Sequence, residues 1–256
     1  MRGLPLLVLA AGCYAPEIAP GGACSTACPG DLVCVDGVCA NGGGDGGGSD
    51  SSLVAHWKFD DPPDDRDGAL DSSGRGHHAT CRACPALVTG RIGGGYRFTA
   101  ALGQILVVPD HADFRGLYTI AAWIYAEPTT DQIAILSKPF GTGTGNSWQL
   151  ELLEDDQVSL SGGDPHSLQS TNIIPTGEWH HVAGRFDGTE KELFIDGEEV
   201  DEVDVTIEYD GHDIYLGGDQ NGGDEVLHWD GVLDDLRIYN RDLTDAEIEA
   251  LALLPP

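Results

Sequence analysis

The chain has 256 residues, with 13 Lys and Arg against 43 Asp and Glu, a formal net charge of −30. A field of that sign repels phosphate backbones and argues against nucleic acid as a partner. The 36 glycines, the single methionine and the short apolar runs describe strands and tight turns, not helices or disorder. The acidic excess has two readings that can coexist: solubility in a salty medium, and carboxylates gathered in loops around divalent cations.

The first apolar run, Leu4–Ala11, is far too short to span a bilayer. It follows Arg2 and ends at Ala10-Ala11-Gly12-Cys13, which predicts a secretory signal over residues 1–12. The Gly12-Cys13 junction resembles the lipobox of bacterial lipoproteins, although Ala10 stands where that motif usually has Leu. The resemblance implies a diacylglycerol on the Cys13 sulfur. With Tyr14 rather than Asp beside it, it also implies an outer-membrane or cell-surface location, plain secretion being the alternative.

Seven cysteines are an odd number for an exported chain. Assigning Cys13 to lipid leaves Cys24, Cys28, Cys34, Cys39, Cys81 and Cys84 to pair in an oxidising compartment. Residues 13–40 carry four of these as C-x3-C-x5-C-x4-C, with turn signals at Pro29-Gly30-Asp31 and Asp36-Gly37. So short a segment cannot bury a core, so a small disulfide knot is expected. Interleaved Cys24–Cys34 and Cys28–Cys39 is one of three possible connectivities. A zinc knot is the rival, weakened because no His lies within the segment. Residues 41–52 (NGGGDGGGSDSS) read as a flexible linker with a reach of about 20 Å.

From Leu53 onward, short apolar runs alternate with Gly, Asp, Pro and Asn. Strands are expected at 53–59, 95–98, 104–108, 118–126, 133–138, 148–153, 158–161, 179–186, 192–195, 199–201, 213–216 and 232–239. Their number and spacing predict an all-β, two-sheet antiparallel sandwich over residues 53–253. Tyr118–Ala126 is apolar on both parities, as a strand in the middle of a sandwich should be. In Trp179–Phe186, His180, Val182 and Phe186 share one face while His181 and Arg185 share the other. Asp196-Gly197 suits a type I′ hairpin turn. A short C-terminal helix is expected after Thr244, with Glu247 completing a capping box and Ile248, Leu251 and Ala252 as its apolar stripe.

Several phrases in this region are specific when taken together: Leu53-Val-Ala-His-Trp-Lys-Phe-Asp60, Asp71-Ser-Ser-Gly-Arg-Gly-His-His78, Gly94-Gly-Tyr-Arg-Phe98 and Thr119-Ile-Ala-Ala-Trp-Ile124. Further on come Ile135-Leu-Ser-Lys138, Gly177-Glu-Trp-His-His-Val182, Leu193-Phe-Ile-Asp-Gly197, Gly231-Val-Leu-Asp-Asp-Leu-Arg-Ile-Tyr-Asn240 and Leu243-Thr-Asp-Ala-Glu-Ile248. Their order and spacing resemble the LamG-like jelly-roll family of the concanavalin A-like lectin/glucanase superfamily. The resemblance implies a jelly roll, and a function among lectins, hydrolases and adhesion modules. It also implies a structural calcium ion joining the loop after the first strand to the last strand. Asp60, Asp71 and either Asp234 or Asp235 are the matching carboxylates, and Gly74 and Gly76 would let the backbone curl toward the ion.

Catalytic patterns are weak. Glu202, Asp204 and Glu208 approach the three-carboxylate strand motif of some glycosidases of this superfamily, but the third acid arrives too late. His180 and His181 point to opposite faces and cannot share an ion. Cys81-Arg-Ala-Cys84, after His77-His78, is open to three readings: a loop disulfide, a Cys2His2 metal site or a redox pair. Trp57, Trp123 and Trp179 occupy strand positions and are expected in the core. Trp148, Tyr209, His212 and Trp229, beside the loops 141–146, 209–213 and 217–225, are the candidate ligand-facing rim. The expected function is recognition of an extracellular glycan or surface protein by a lipid-anchored domain, without catalysis. A structural envelope protein and a glycoside hydrolase are the alternatives.

Overall fold

The computed structural model describes residues 50–63, 68–143, 145–163 and 167–255, together with the backbone of two strands, β1 (Leu32–Val35) and β2 (Val38–Asn41). Those two pair antiparallel, with Cys34 opposite Cys39. Cys13, Cys24 and Cys28, and with them the expected anchor and the pairing within the knot, lie outside the described residues.

From Leu53 the strands are β3 (Leu53–Trp57), β4 (Thr80–Cys81), β5 (Ala86–Thr89), β6 (Gly94–Phe98), β7 (Leu106–Val108), β8 (Tyr118–Ala126), β9 (Ile133–Pro139), β10 (Asn146–Leu152) and β11 (Gln157–Ser161). They continue as β12 (Leu168–Ile173), β13 (Trp179–Phe186), β14 (Glu190–Ile195), β15 (Glu198–Asp204), β16 (Ile214–Leu216), β17 (Asp219–Asn221), β18 (Asp224–Val226) and β19 (Gly231–Tyr239). A seven-stranded sheet runs β12-β11-β10-β9-β16-β7-β4. An eight-stranded sheet runs β15-β14-β13-β8-β19-β6-β5, with β3 pairing along the remainder of β19. Every pairing is antiparallel where the register is described. The protein is a two-sheet jelly-roll sandwich, as its turn-punctuated apolar runs require.

The sheets face each other through one apolar cluster. Ile120, Ala122 and Ile124 of β8, Val182 and Phe186 of β13 and Leu233, Leu236 and Ile238 of β19 belong to it, with Trp148, Leu150 and Leu152 of β10 and Val158 and Leu160 of β11. In β8, β10, β11 and β13 these residues follow the two-residue period of a strand, so one face of each is removed from water, whereas β19 steps by three between Leu233 and Leu236. The other face of the eight-stranded sheet is covered too. Ala121, Ala183, Phe194 and Tyr239 pack there against Ile248 and Leu251 of the helix α1 (Asp245–Ala252), which explains why β8 is apolar on both parities. Thr244 caps α1 and closes a capping box with Glu247, as expected. Among the described residues, no helix is long and apolar enough to cross a membrane.

Two local features bear on the site residues. Asp196 and Gly197 both have positive φ, 53° and 87°, the conformation the Asp-Gly signal required. In β19 the register against β8 slips between Asp234 and Arg237, with Asp235 at φ 48°. This bulge turns both acids outward from the main core while Leu233 and Leu236 stay in it. Cys81 and Cys84 form a disulfide, Cα atoms 5.1 Å apart. Of the three readings of that pair, the loop disulfide is the one present.

Candidate functional site

β10 builds the floor of a polar groove. Its even-numbered residues Trp148, Leu150 and Leu152 face the core, so Gln149 and Glu151 face outward together. The groove has a volume of about 830 Å³ and is lined by Gln132, Phe140, Asn146, Gln149, Glu151, Ser161, Glu208, Asp219 and Asn221 among others. The β17–β18 hairpin and residues 206–208, which lead from one sheet to the other, contribute Asp219, Asn221, Thr206 and Glu208 to its walls.

Side-chain amides organise the floor. Asn146 Nδ2 donates to Gln149 Oε1, and Gln149 Nε2 donates to Glu151 Oε2 at 2.7 Å. Gln132 Nε2 donates to the same Glu151 oxygen. Burial holds the Glu151 carboxyl above its ordinary range; the Gln132 and Ser161 hydrogen bonds pull the other way, and the charge of Asp219 adds to the rise. Three oxygens of the lining are buried without a hydrogen-bond donor among the described residues: Asn146 Oδ1, Asp219 Oδ1 and Asn221 Oδ1. A buried acceptor left unmade costs about 1–3 kcal/mol, so these atoms favour a guest that brings donors. Phe140 supplies a half-buried ring at the same groove.

The residues expected to face a ligand lie elsewhere. Trp148 and Trp229 are 0% exposed and belong to the main core, Trp148 packing against Tyr118 with ring centroids 5.9 Å apart. Neither indole offers a face to a sugar. Tyr209 packs against the core and donates its hydroxyl to the Gly116 carbonyl at 2.7 Å. His212 pairs with Asp210 at 2.7 Å, while its carbonyl accepts from the buried Lys138 ammonium. Of the three expected loops, the first and third reach the groove through Gly145, Asn146, Asp219 and Asn221; residues 209–213 do not line it. Trp57 and Trp123 are buried as expected, Trp123 on the face of the eight-stranded sheet turned away from the main cluster and against His181, whereas Trp179 is half-buried on that face against Tyr125.

The structure does not gather Asp60, Asp71, Asp234 and Asp235 into one ligand set. Asp71 accepts from the His56, Ser73 and His77 amides and the Ser73 hydroxyl, so it organises its own loop. Asp60 accepts from the Gly94 amide, and Asp234 from the Ile92 amide, each at 2.7 Å. Asp235 is the counterion of Arg237 and His56. Among the described residues, the groups whose ligand atoms converge are His77 with His111 and Asp113, and Glu192 with Glu199 and Glu202; none of the four aspartates belongs to either. Glu202 and Asp204 are exposed on the edge strand β15, whereas Glu208, the third acid of the weak triplet, lines the β10 groove.

Comparisons with known proteins agree with this architecture. A laminin G-type model of the Concanavalin A-like lectin/glucanases superfamily matches residues 90–249. The chain belongs to the concanavalin A-like lectin/glucanase superfamily. No curated protein matches it by sequence. Among solved structures it is similar to the binding domain of Paraclostridial Mosquitocidal Protein 1, with 16% identity and a TM-score of 0.63 over 78% of this chain and 52% of that one. It is also similar to Domain 4 of AbnA, a GH43 extracellular arabinanase from Geobacillus stearothermophilus, solved with arabinotriose. There the identity is 24% and the TM-score 0.59, over 78% of this chain and 98% of that domain. A Trypanosoma rangeli sialidase aligns at 17% identity and TM-score 0.65 over 90% of this chain, which spans only 36% of the sialidase. At these identities the likeness is one of fold.

Proposed function

We propose that the protein is an exported, lipid-anchored receptor whose jelly roll binds neutral carbohydrate in the β10 groove without turnover. The observation that carries this reading is the set of buried acceptor oxygens on Asn146, Asp219 and Asn221, which calls for a ligand rich in hydroxyl donors. Phe140 provides an apolar surface for a sugar face, and the amides of Gln132, Asn146 and Gln149 provide neutral, directional partners. Glu151, Glu208 and Asp219 in the lining, within a chain of net charge −30, disfavour acidic sugars. The arabinotriose held by Domain 4 of AbnA makes that neutral oligosaccharide a sensible first probe. The lipobox-like Cys13 and the linker at 41–52 support display of the domain at the outer membrane or cell surface.

A second reading, glycoside hydrolysis, has one observation in its favour: Glu151, its carboxyl raised by burial, shares the groove with Asp219. A general acid must hand its proton to the leaving oxygen. Glu151 Oε2 accepts from two amides, which fixes the carboxyl in place and leaves Oε1 as the atom to carry a proton. A neutral-glycan array run beside a reducing-end assay on the same sugars separates the two. Binding without released ends is expected; released ends establish the hydrolase.

A further inference from the structure

His77, His111 and Asp113 come together at a place that the carbohydrate reading does not use, since none of them lines the groove. His77 lies in the connection between β3 and β4. His111 and Asp113 belong to the short 3-10 turn, Ala112–Phe114 with His111 as its cap, that leads into β8. His77 Nε2 stands 3.2 Å from Asp113 Oδ2, and His111 Nδ1 stands 3.4 Å from Asp113 Oδ1. One ligand atom from each of the three residues can be chosen so that all lie within 4.8 Å of one another. Atoms bound about 2.0–2.1 Å from a tetrahedral ion are about 3.3 Å apart. The two separations are close to this but end on different oxygens of Asp113, so the carboxylate must turn to present one oxygen to both rings. His111 Nδ1 must likewise exchange the Asp113 amide, from which it accepts at 3.2 Å, for the ion.

His77 is held from both sides. Its amide donates to Asp71 Oδ2 and its carbonyl accepts from Trp57 Nε1, each at 3.0 Å, while its ring packs on Phe114 with centroids 4.6 Å apart. The side chain is 9% exposed, whereas that of His111 is 54% exposed and open to solvent. One ligand is therefore locked in the fold before an ion arrives, and another stands at the entrance. Two imidazole nitrogens and one carboxylate oxygen suit a borderline ion. Calcium and magnesium, which want oxygen alone, are poorly served.

We propose that His77, His111 and Asp113 bind a zinc-class divalent cation, leaving a fourth position open to water or to an oxygen of a ligand. The ion ties the connection after β3 to the connection before β8, two segments far apart in sequence. It reaches the site from the medium outside the cell, where an exported chain meets it without competition from cytoplasmic thiols.

The test uses the full chain with its disulfides intact. Zinc is titrated calorimetrically, and cobalt is added in parallel as a spectroscopic probe. The wild type is expected to take zinc at this site and to show the intense visible absorption of four-coordinate cobalt. Loss of an outer-shell partner typically weakens a metal site about 10–100-fold, and loss of a ligand should weaken it at least as much. His111→Gln and Asp113→Asn are therefore expected to remove one equivalent, while His212→Gln leaves the titration unchanged. His111 is exposed enough that its replacement should preserve the fold, which circular dichroism checks. Absence of zinc binding, a weak six-coordinate cobalt spectrum, or a titration indifferent to His111→Gln would each overturn the assignment.

Discussion

His56 Nε2 lies 2.6 Å from Asp235 Oδ1, joining β3 to the bulge of β19 with both side chains almost completely out of water. Arg237 completes the cluster at 3.0 Å from the other carboxylate oxygen. Burial alone pushes the Asp235 carboxyl up, but Arg237 and His56 more than reverse this and hold it well below the usual carboxylate range. Removing the carboxylate takes a buried counterion from both Arg237 and His56, so Asp235→Ala should cost about 3–5 kcal/mol in denaturant unfolding. A loss below about 1 kcal/mol would show the cluster to be incidental. Because the folded-state pKa is depressed, the contribution is present above the ordinary value of 3.8 and vanishes as the pH falls through the lowered one.

The neighbouring Asp234 has the opposite sign. Burial raises its carboxyl to about 7, against backbone hydrogen bonds from Ile92, Arg91 and Asp235 that lower it, and the charge of Asp235 adds to the rise. The folded state therefore holds a proton that the unfolded chain has released. Stability should fall as the pH climbs from 3.8 and level off above about 7, with a slope of up to about 1.4 kcal/mol per pH unit. Asp234→Asn keeps an acceptor for the Ile92 amide and removes the titration. Unfolding free energies measured from about pH 5 to about pH 8, a range that brackets the raised value of about 7, should be flatter in this variant than in the wild type. Parallel curves would remove Asp234 as the source.

The proposed export and anchoring would leave a chemical record. The mature protein should begin at Cys13 with added acyl mass, and the unreduced chain should show no alkylatable thiol. Opening the Cys81–Cys84 loop in the double Ser variant should cost about 2 kcal/mol or less, because a short loop restrains few unfolded conformations. A mature terminus elsewhere without lipid would end the anchoring proposal, and a free thiol would contradict full pairing.

The sandwich was legible because turn signals and period-two alternation repeat along 53–253, and the capping box at Thr244 and Glu247 marks the helix in four residues. Three edge strands were not legible, although β15 was expected at 199–201: β4 has two residues, and β5 and β12 are mostly exposed, so none carries a continuous apolar stripe. Trp148 was misplaced by its neighbourhood, a glycine-rich loop, although alternation with Leu150 and Leu152 sends it inward and Gln149 and Glu151 outward. That pattern was the available signal for the groove floor. The separate duties of Asp60, Asp71, Asp234 and Asp235 had no such signal, because a bulge and a loop's own hydrogen bonds decide them.

The most direct test of the central claim is binding of the wild type and of Asn221→Ala and Phe140→Ala to a neutral-glycan array that includes arabinotriose, with reducing ends assayed on the same sugars. Loss of one well-made hydrogen bond or one stacking surface should weaken binding about 10-fold or more while the fold is kept. The account expects a neutral-glycan signal that both variants lose and no released reducing ends. A signal indifferent to both substitutions, the absence of any neutral-glycan signal, or hydrolysis of the bound sugar would contradict it.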